Sequence, residues 1–223
     1  VRYAKNYGKQ IEVTPDNRKD LFAWAPELGT MWRTAEDIKP RWSIIMSILD
    51  KQEGLAVLSG PNSFNDPDIL EVGNGELTYS ENRAHFSLWC ILAAPLFLGN
   101  DVRNMNDEIL EILTNKELIA LNQDKLCKQA EKVYDNNDIE IFLKPLENSD
   151  VGICILNRAD TMRHFEMEWK YLGIDVKEEV WSIRDLWAHK DLRMKRESLP
   201  VEIKPHDVMV FRLSKTNGNI LDK

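Results

Sequence analysis

The sequence predicts two unlike parts: an α/β region of about four parallel β/α units, then an all-β region folded as an antiparallel sandwich. Two observations carry this. Over the first 128 residues or so, short apolar runs alternate with longer stretches at helical spacing, the pattern of parallel strands joined by helices. Beyond them, apolar and polar residues alternate in segments about ten residues apart, divided by turn signals such as Asn136-Asn137-Asp138 and Asn148-Ser149-Asp150. The expected division is 1–128 and 129–223, joined near Lys125–Glu131.

In the first part, Gln10–Thr14 reads as a buried strand entering a turn at Pro15-Asp16-Asn17. Gly29–Thr34 is the next strand. Trp42, Ile45, Met46 and Leu49 recur at helical spacing, which predicts an amphipathic helix over about 39–52. Asp68–Val72 reads as a short strand. Thr78 and Glu81 form a capping box, opening a helix to about Ala94 with Phe86, Trp89 and Leu92 on one stripe. Pro95 ends it. Leu96–Leu98 reads as a buried strand, and Asn106 caps a helix with Ile109, Leu110 and Leu113 inside. In the second part the strands are Ile139–Lys144, Val151–Leu156, His164–Trp169, Val180–Leu186, Val201–Ile203 and Val208–Leu213, with Phe165, Met167 and Trp169 on one face.

Composition narrows the function. The 223 residues are 43% hydrophobic, enough for a core, and carry 29 basic against 37 acidic side chains. A net charge of −8 argues against a nucleic-acid or anionic-membrane surface, since both require positive potential. No run approaches the roughly 20 apolar residues of a membrane span, and no basic-then-apolar leader opens the chain. Cys90, Cys127 and Cys154 lack metal spacing and are expected as buried free thiols. Signatures for zinc proteases, serine hydrolases and phosphate-binding loops do not occur.

Enzymes built on parallel strands place their sites in the loops at the strands' C-terminal ends. Four polar clusters fall there: Asp16 and Asn17; Arg33, Glu36 and Asp37; Asn65-Asp66-Pro67-Asp68; and Asn100, Asp101 and Arg103. Carboxylates around one pocket suit acid/base work, and an arginine suits holding sugar hydroxyls or an anion. The competing reading is that these residues cap helices and tie loops.

Several segments then occur in a telling order: Trp32-Arg33-Thr34-Ala35-Glu36-Asp37-Ile38, Phe64-Asn65-Asp66-Pro67-Asp68-Ile69-Leu70-Glu71-Val72-Gly73-Asn74, Ala94-Pro95-Leu96, Ile119-Ala120-Leu121-Asn122-Gln123-Asp124 and Arg184-Asp185-Leu186-Trp187. Together they resemble glycoside hydrolase family 27, the α-galactosidases and α-N-acetylgalactosaminidases. The resemblance implies a (β/α)8 TIM-type barrel followed by an antiparallel β-sandwich. It implies retaining hydrolysis of a terminal α-linked galactose-type sugar, without metal or cofactor. By the same resemblance Asp37 is the general acid/base, Arg33 contacts the sugar, Asp68 binds sugar hydroxyls, and Ile69 lines the pocket where the family usually has Met. The acid/base must carry a proton when substrate arrives. A guanidinium touching it would favour the ionised form, so Arg33 is expected to address the sugar rather than Asp37.

The chain also departs from the family. The segment that resembles YxKxDxC and carries the nucleophile on the fourth barrel strand does not occur. By order, Gln10–Thr14 matches the fifth strand, so the expectation is a partial barrel, strands five to eight, plus the sandwich. A whole barrel takes about 250 residues. Two readings follow: an α-galactosidase-like enzyme whose nucleophile half lies outside this chain, or a non-catalytic half-barrel or sugar-binding module. In both, an α-galactoside or related saccharide is the expected ligand. The open wall is expected to call for the amino-terminal half or a second copy as partner.

Overall fold

The computed structural model describes residues 4–6, 9–11, 24–25, 28–173, 181–192 and 198–215. Strands β1 (Ala4–Asn6) and β2 (Lys9–Ile11) pair antiparallel, Ala4 opposite Ile11. This corrects the expectation of a parallel barrel strand at Gln10–Thr14. The two-residue span 7–8 is the length that joins antiparallel strands, whereas a parallel partner needs a crossover of a dozen or more residues. Residues 12–14 and the Pro15-Asp16-Asn17 turn lie outside the described residues.

Strand β3 (Met31–Arg33) pairs in parallel with β4 (Phe64–Asp66), Arg33 opposite Asp66. Helix α1 (Trp42–Asp50) makes the crossover and buries Ile45, Met46 and Leu49, as the spacing predicts, and Ile48 besides, while Trp42 is half-buried. The strand expected at Asp68–Val72 lies earlier, in β4. Pro67 has no N–H for a ladder, and Asp68 turns to φ 101°. Leu70 makes an isolated parallel bridge to Leu98 instead. The Leu96–Leu98 segment is therefore a single bridge rather than a buried strand. Phe97 is 48% and Leu98 44% exposed.

Helix α2 (Tyr79–Ile91) opens on the expected capping box. Thr78 Oγ1 accepts from Glu81 N, and Glu81 Oε2 accepts from Thr78 N at 2.8 Å. Thr78→Ala is expected to cost about 1 kcal/mol, read as a lowered urea midpoint at unchanged slope. At the far end, Asn122 Nδ2 donates to the carbonyls of Trp89 (3.3 Å) and Ala94 (2.9 Å). Helix α3 (Asp107–Leu113) is capped by Asn106 as expected, but buries Ile112 and leaves Leu110 45% exposed. Helix α4 (Lys116–Asn122), capped by Asn115, was not legible from periodicity.

The remaining strands are β5 (Glu131–Asp135), β6 (Ile139–Pro145), β7 (Val151–Asn157), β8 (Arg163–Glu168), β9 (Trp181–Asp185), β10 (Lys190–Leu192), β11 (Ser198–Ile203) and β12 (Val208–Lys215). Six form an antiparallel sheet in the order β10-β9-β12-β7-β6-β5, and β8 pairs with β11. This is the expected sandwich. Ile141, Ile153, Ile155, Phe211 and Leu213 face Met167, Leu199 and Val201 across the inner layer.

The six-stranded sheet is also covered on its second face. Phe142, Cys154, Leu156, Val208 and Val210 share a core with Leu88, Ile91 and Leu121 of α2 and α4. The approach is close at Gly152, where a Cβ would lie 2.6 Å from Leu121 Cδ1. Because side chains alternate along a strand, this second face also carries Glu140 (3% exposed) and Lys144 (0%) into the interior. Cys90 and Cys154 are buried free thiols, raised in pKa by burial, whereas Cys127 is only half-buried.

Candidate functional site

Parallel pairing of β3 with β4 sets Arg33 beside Asp66 at the strand ends, and the chain then delivers Asp68 two residues on. Arg33 Nη2 lies 2.7 Å from Asp68 Oδ2 and 3.3 Å from Asp37 Oδ1. Of the four residues named from the resemblance, Asp37 and Asp68 thus meet on one guanidinium nitrogen of Arg33. Their exposures differ: the side chains of Arg33 and Asp68 are 18% and 12% exposed, that of Asp37 84%. The expectation that Arg33 avoids Asp37 is corrected. With Asp37 four residues after Arg33 in a tight turn, the guanidinium reaches both carboxylates.

Asp68 is held at every polar atom. Its N–H donates to Asp66 Oδ1 (3.0 Å), and its carbonyl accepts from Trp89 Nε1 (2.7 Å). Oδ1 accepts from Ile69 N (2.8 Å), and Oδ2 from Ile38 N (2.9 Å) as well as meeting Arg33. A φ of 101° in a residue with a side chain costs on the order of 1–3 kcal/mol, and these contacts offset it. Ile69 packs on the opposite loop: a Cβ at Gly99 would lie 2.7 Å from Ile69 Cδ1.

Beneath the strand ends runs a buried amide layer. Thr34 Oγ1 meets Gln52 Oε1 at 2.7 Å, and Gln129 links Asn65 (2.8 Å) to the Gln52 carbonyl (2.8 Å). Behind Asp68, His85 stands edge-on to Trp89, ring centroids 4.1 Å apart, and its Nε2 accepts from Glu71 N at 3.0 Å. Burial lowers the His85 pKa to about 3, so the ring stays neutral and able to accept. Sequence reasoning placed His85 on a helix but missed this role; the signal was its i, i+4 spacing to Trp89.

Of the other clusters, Asp101 grips Arg103 Nε (2.8 Å) and Nη2 (2.9 Å) at the surface, which holds its carboxyl below the usual range. It ties a loop, as the competing reading had it. Glu36 pairs with Lys51. Asp16 and Asn17 lie outside the described residues. A cavity of about 300 Å³ opens between the end of α1 and strands β5 and β6, walled by Asp50, Glu53, Lys132, Glu140 and Arg158. Its charged walls pair across the two halves, Arg158 with Asp50 and Lys132 with Glu53. None of Arg33, Asp37, Asp68 or Ile69 lines it. Among the described residues no three His, Cys, Asp or Glu side chains converge as a metal site, and no helix is long and apolar enough to cross a membrane.

Comparison with known proteins follows the same division. Residues 14–124 match the family model described as alpha galactosidase A, and residues 136–213 the one described as the alpha galactosidase C-terminal beta sandwich domain. Alpha-galactosidase A of Cellvibrio japonicus is 41% identical over 211 residues, covering 86% of this chain and 52% of that protein. Alpha-galactosidase 3 of Arabidopsis thaliana is 40% identical over 199 residues, covering 87% of this chain and 45% of that protein. The chain therefore spans about half the length of the curated relatives it matches. Among solved structures, alpha-galactosidase I of Mortierella vinacea superposes with a TM-score of 0.79 at 26% identity, over 89% of this chain and 57% of its own. A GH27 β-L-arabinopyranosidase of Geobacillus stearothermophilus gives a TM-score of 0.81 at 25% identity, over 91% of this chain and 49% of its own. With both of its parts matched, and in the same order, the chain belongs to the α-galactosidase family, glycoside hydrolase family 27, and carries a fragment of the family's TIM barrel followed by its carboxy-terminal β-sandwich.

Proposed function

We propose that this chain supplies the acid/base and sugar-holding side of a retaining α-galactosidase-like glycoside hydrolase acting on terminal α-linked galactose-type sugars. The observation that carries the reading is the convergence of Asp37, Asp68 and Arg33 at the ends of β3 and β4. In this reading residues 1–128 belong to the barrel and 129–223 to the sandwich. Arg33 and Asp68 form a fixed donor and acceptor pair for neighbouring sugar hydroxyls. Ile69 lines the pocket. Asp37, the exposed carboxyl, is the acid/base of this reading: bound sugar draws Arg33 to its hydroxyls and away from Asp37, which then protonates the leaving oxygen and afterwards activates water.

A retaining reaction also needs a nucleophilic carboxylate about 5–5.5 Å from the acid/base. We infer that it comes from a polypeptide segment outside these residues, either the amino-terminal barrel half or a second copy. The half-exposed apolar residues Leu28, Phe97, Leu98 and Val102 support a partner surface on the barrel part.

The test is binding of methyl α-D-galactopyranoside to the isotope-labelled chain, followed by amide shifts. Perturbation at Arg33, Ile38 and Ile69 is expected. Asp68→Asn removes a charge-assisted contact worth about 1.5–3 kcal/mol, so affinity is expected to fall at least tenfold. Perturbation confined to other residues, or equal binding of methyl α-D-glucopyranoside, overturns the reading.

A further inference from the structure

We propose that Trp89 and His85 are positioning residues that hold the Asp68–Glu71 turn, and through it the Asp68 carboxylate, in the orientation that meets Arg33. The proposal rests on the reading that Asp68 holds a sugar, and it adds two residues that touch no sugar themselves.

Asp68 sits at φ 101°, where a residue with a Cβ does not settle unaided. Pro67 before it donates no hydrogen bond. The turn therefore has to be gripped from outside. Helix α2 does this from one face. Trp89 and His85 are four residues apart, so both side chains project from the same side of the helix. Both are 0% exposed. The indole N–H takes the Asp68 carbonyl at 2.7 Å, and the imidazole Nε2 takes the Glu71 N–H at 3.0 Å. The two anchors thus bracket the turn at its first carbonyl and its last amide. The imidazole stands at 90° to the indole, fixing the ring that makes the first contact.

With the backbone gripped, the carboxylate is held between Ile69 N on its own turn and two partners opposite. It points at Ile38 N and Arg33, on the loop that carries Asp37. The indole therefore acts on the β3 side of the site through Asp68. A tryptophan kept only to fill the core would need the same volume but no N–H.

Trp89→Phe separates these roles, because it keeps most of the apolar bulk and removes the donor. The measurement is residue-resolved amide hydrogen exchange on the chain as it stands. Exchange at Ile38 and Ile69, the two amides bonded to the Asp68 carboxylate, is expected to rise about tenfold, the change for one lost hydrogen bond of ordinary strength. Exchange at Ile45 and Ile155, in the two cores, is expected to stay unchanged. A uniform rise at all four, or no rise at Ile38 and Ile69, overturns the proposal. Should Trp89→Phe not fold, His85→Leu serves as the second variant, with the same selective rise at Ile69 and at Glu71. His85→Gln, which restores an acceptor, is expected to reverse most of it. Sugar binding is read separately on the same samples. Selective exchange without any galactoside binding leaves the positioning in place and overturns the sugar-site reading. Galactoside binding with uniform exchange does the reverse.

Discussion

Incubated alone with a nitrophenyl α-galactoside, this chain is expected to turn over below about 10⁻³ per second, at least 10⁴-fold under the median enzyme rate of about 10 per second. Removing one carboxylate of a catalytic set costs on the order of 10⁴-fold or more. The deficit follows from how each candidate is used. Asp68 cannot attack an anomeric carbon while both its oxygens accept backbone N–H groups and one meets Arg33. Asp66 is 1% exposed and bonded to the Asp68 amide. Asp37 is open to solvent, yet one carboxyl cannot be both proton donor and nucleophile in the same step. Turnover near 10 per second would show that one of these groups attacks after all, and would overturn the assignment of roles. On the proposed reading, an amino-terminal barrel half supplied in trans to the same assay restores turnover. Asp37→Ala in that mixture is expected to abolish it again on substrates with a poor leaving group.

How far the sequence told this can be judged from particular residues. The capping box at Thr78 and Glu81, most of the stripe of α1 and six of the eight sandwich strands, all but β5 and β10, were legible because each depends on neighbours in sequence. Arg33, Asp37 and Asp68 were legible as candidates from their motifs, and the parallel register of β3 and β4 is what brings them together. The contact between Arg33 and Asp37 was not legible, since it depends on how tightly residues 34–36 turn. Gln10–Thr14 misled because its alternation, with Ile11 and Val13 apolar, shows that a strand forms but not what it pairs with. Leu110 misled by the same logic: helical spacing marks a stripe, while its edge is set by what packs there.

The largest gap lies on the sheet's second face. In Ile139-Glu140-Ile141-Phe142-Leu143-Lys144 the alternation implies a wet face for Glu140 and Lys144. Helices α2 and α4 cover that face, and Phe142 between Glu140 and Lys144 is the one residue of the strand segment that announces them. Glu140 is matched there: Arg158 Nε lies at 2.9 Å and Lys132 Nζ at 3.3 Å. Burial still raises its pKa, against both cations. Lys144 has no such match.

Lys144→Met is expected to stabilise the fold at neutral pH. The Lys144 ammonium is 0% exposed and takes no hydrogen bond. Burial lowers its pKa from 10.5 to about 8, against weaker opposing fields that include Asp124. At 1.36 kcal/mol per pKa unit, that difference corresponds to a penalty of about 3 kcal/mol. The sign is set by which state holds the proton. Between pH 8 and 10.5 the unfolded chain keeps the Lys144 proton while the native fold sheds it. Wild-type stability at this site therefore rises with pH across that window, and the full penalty stands below pH 8. Methionine fills much the same volume with no charge to desolvate. Urea unfolding of both chains at pH 7 should show the variant more stable by about 2–3 kcal/mol. The gap should close as the pH is taken from 8 towards 10. A variant less stable than wild type at pH 7 would mean that the ammonium is matched in solution, with Asp124, whose field already opposes the shift, as the candidate partner.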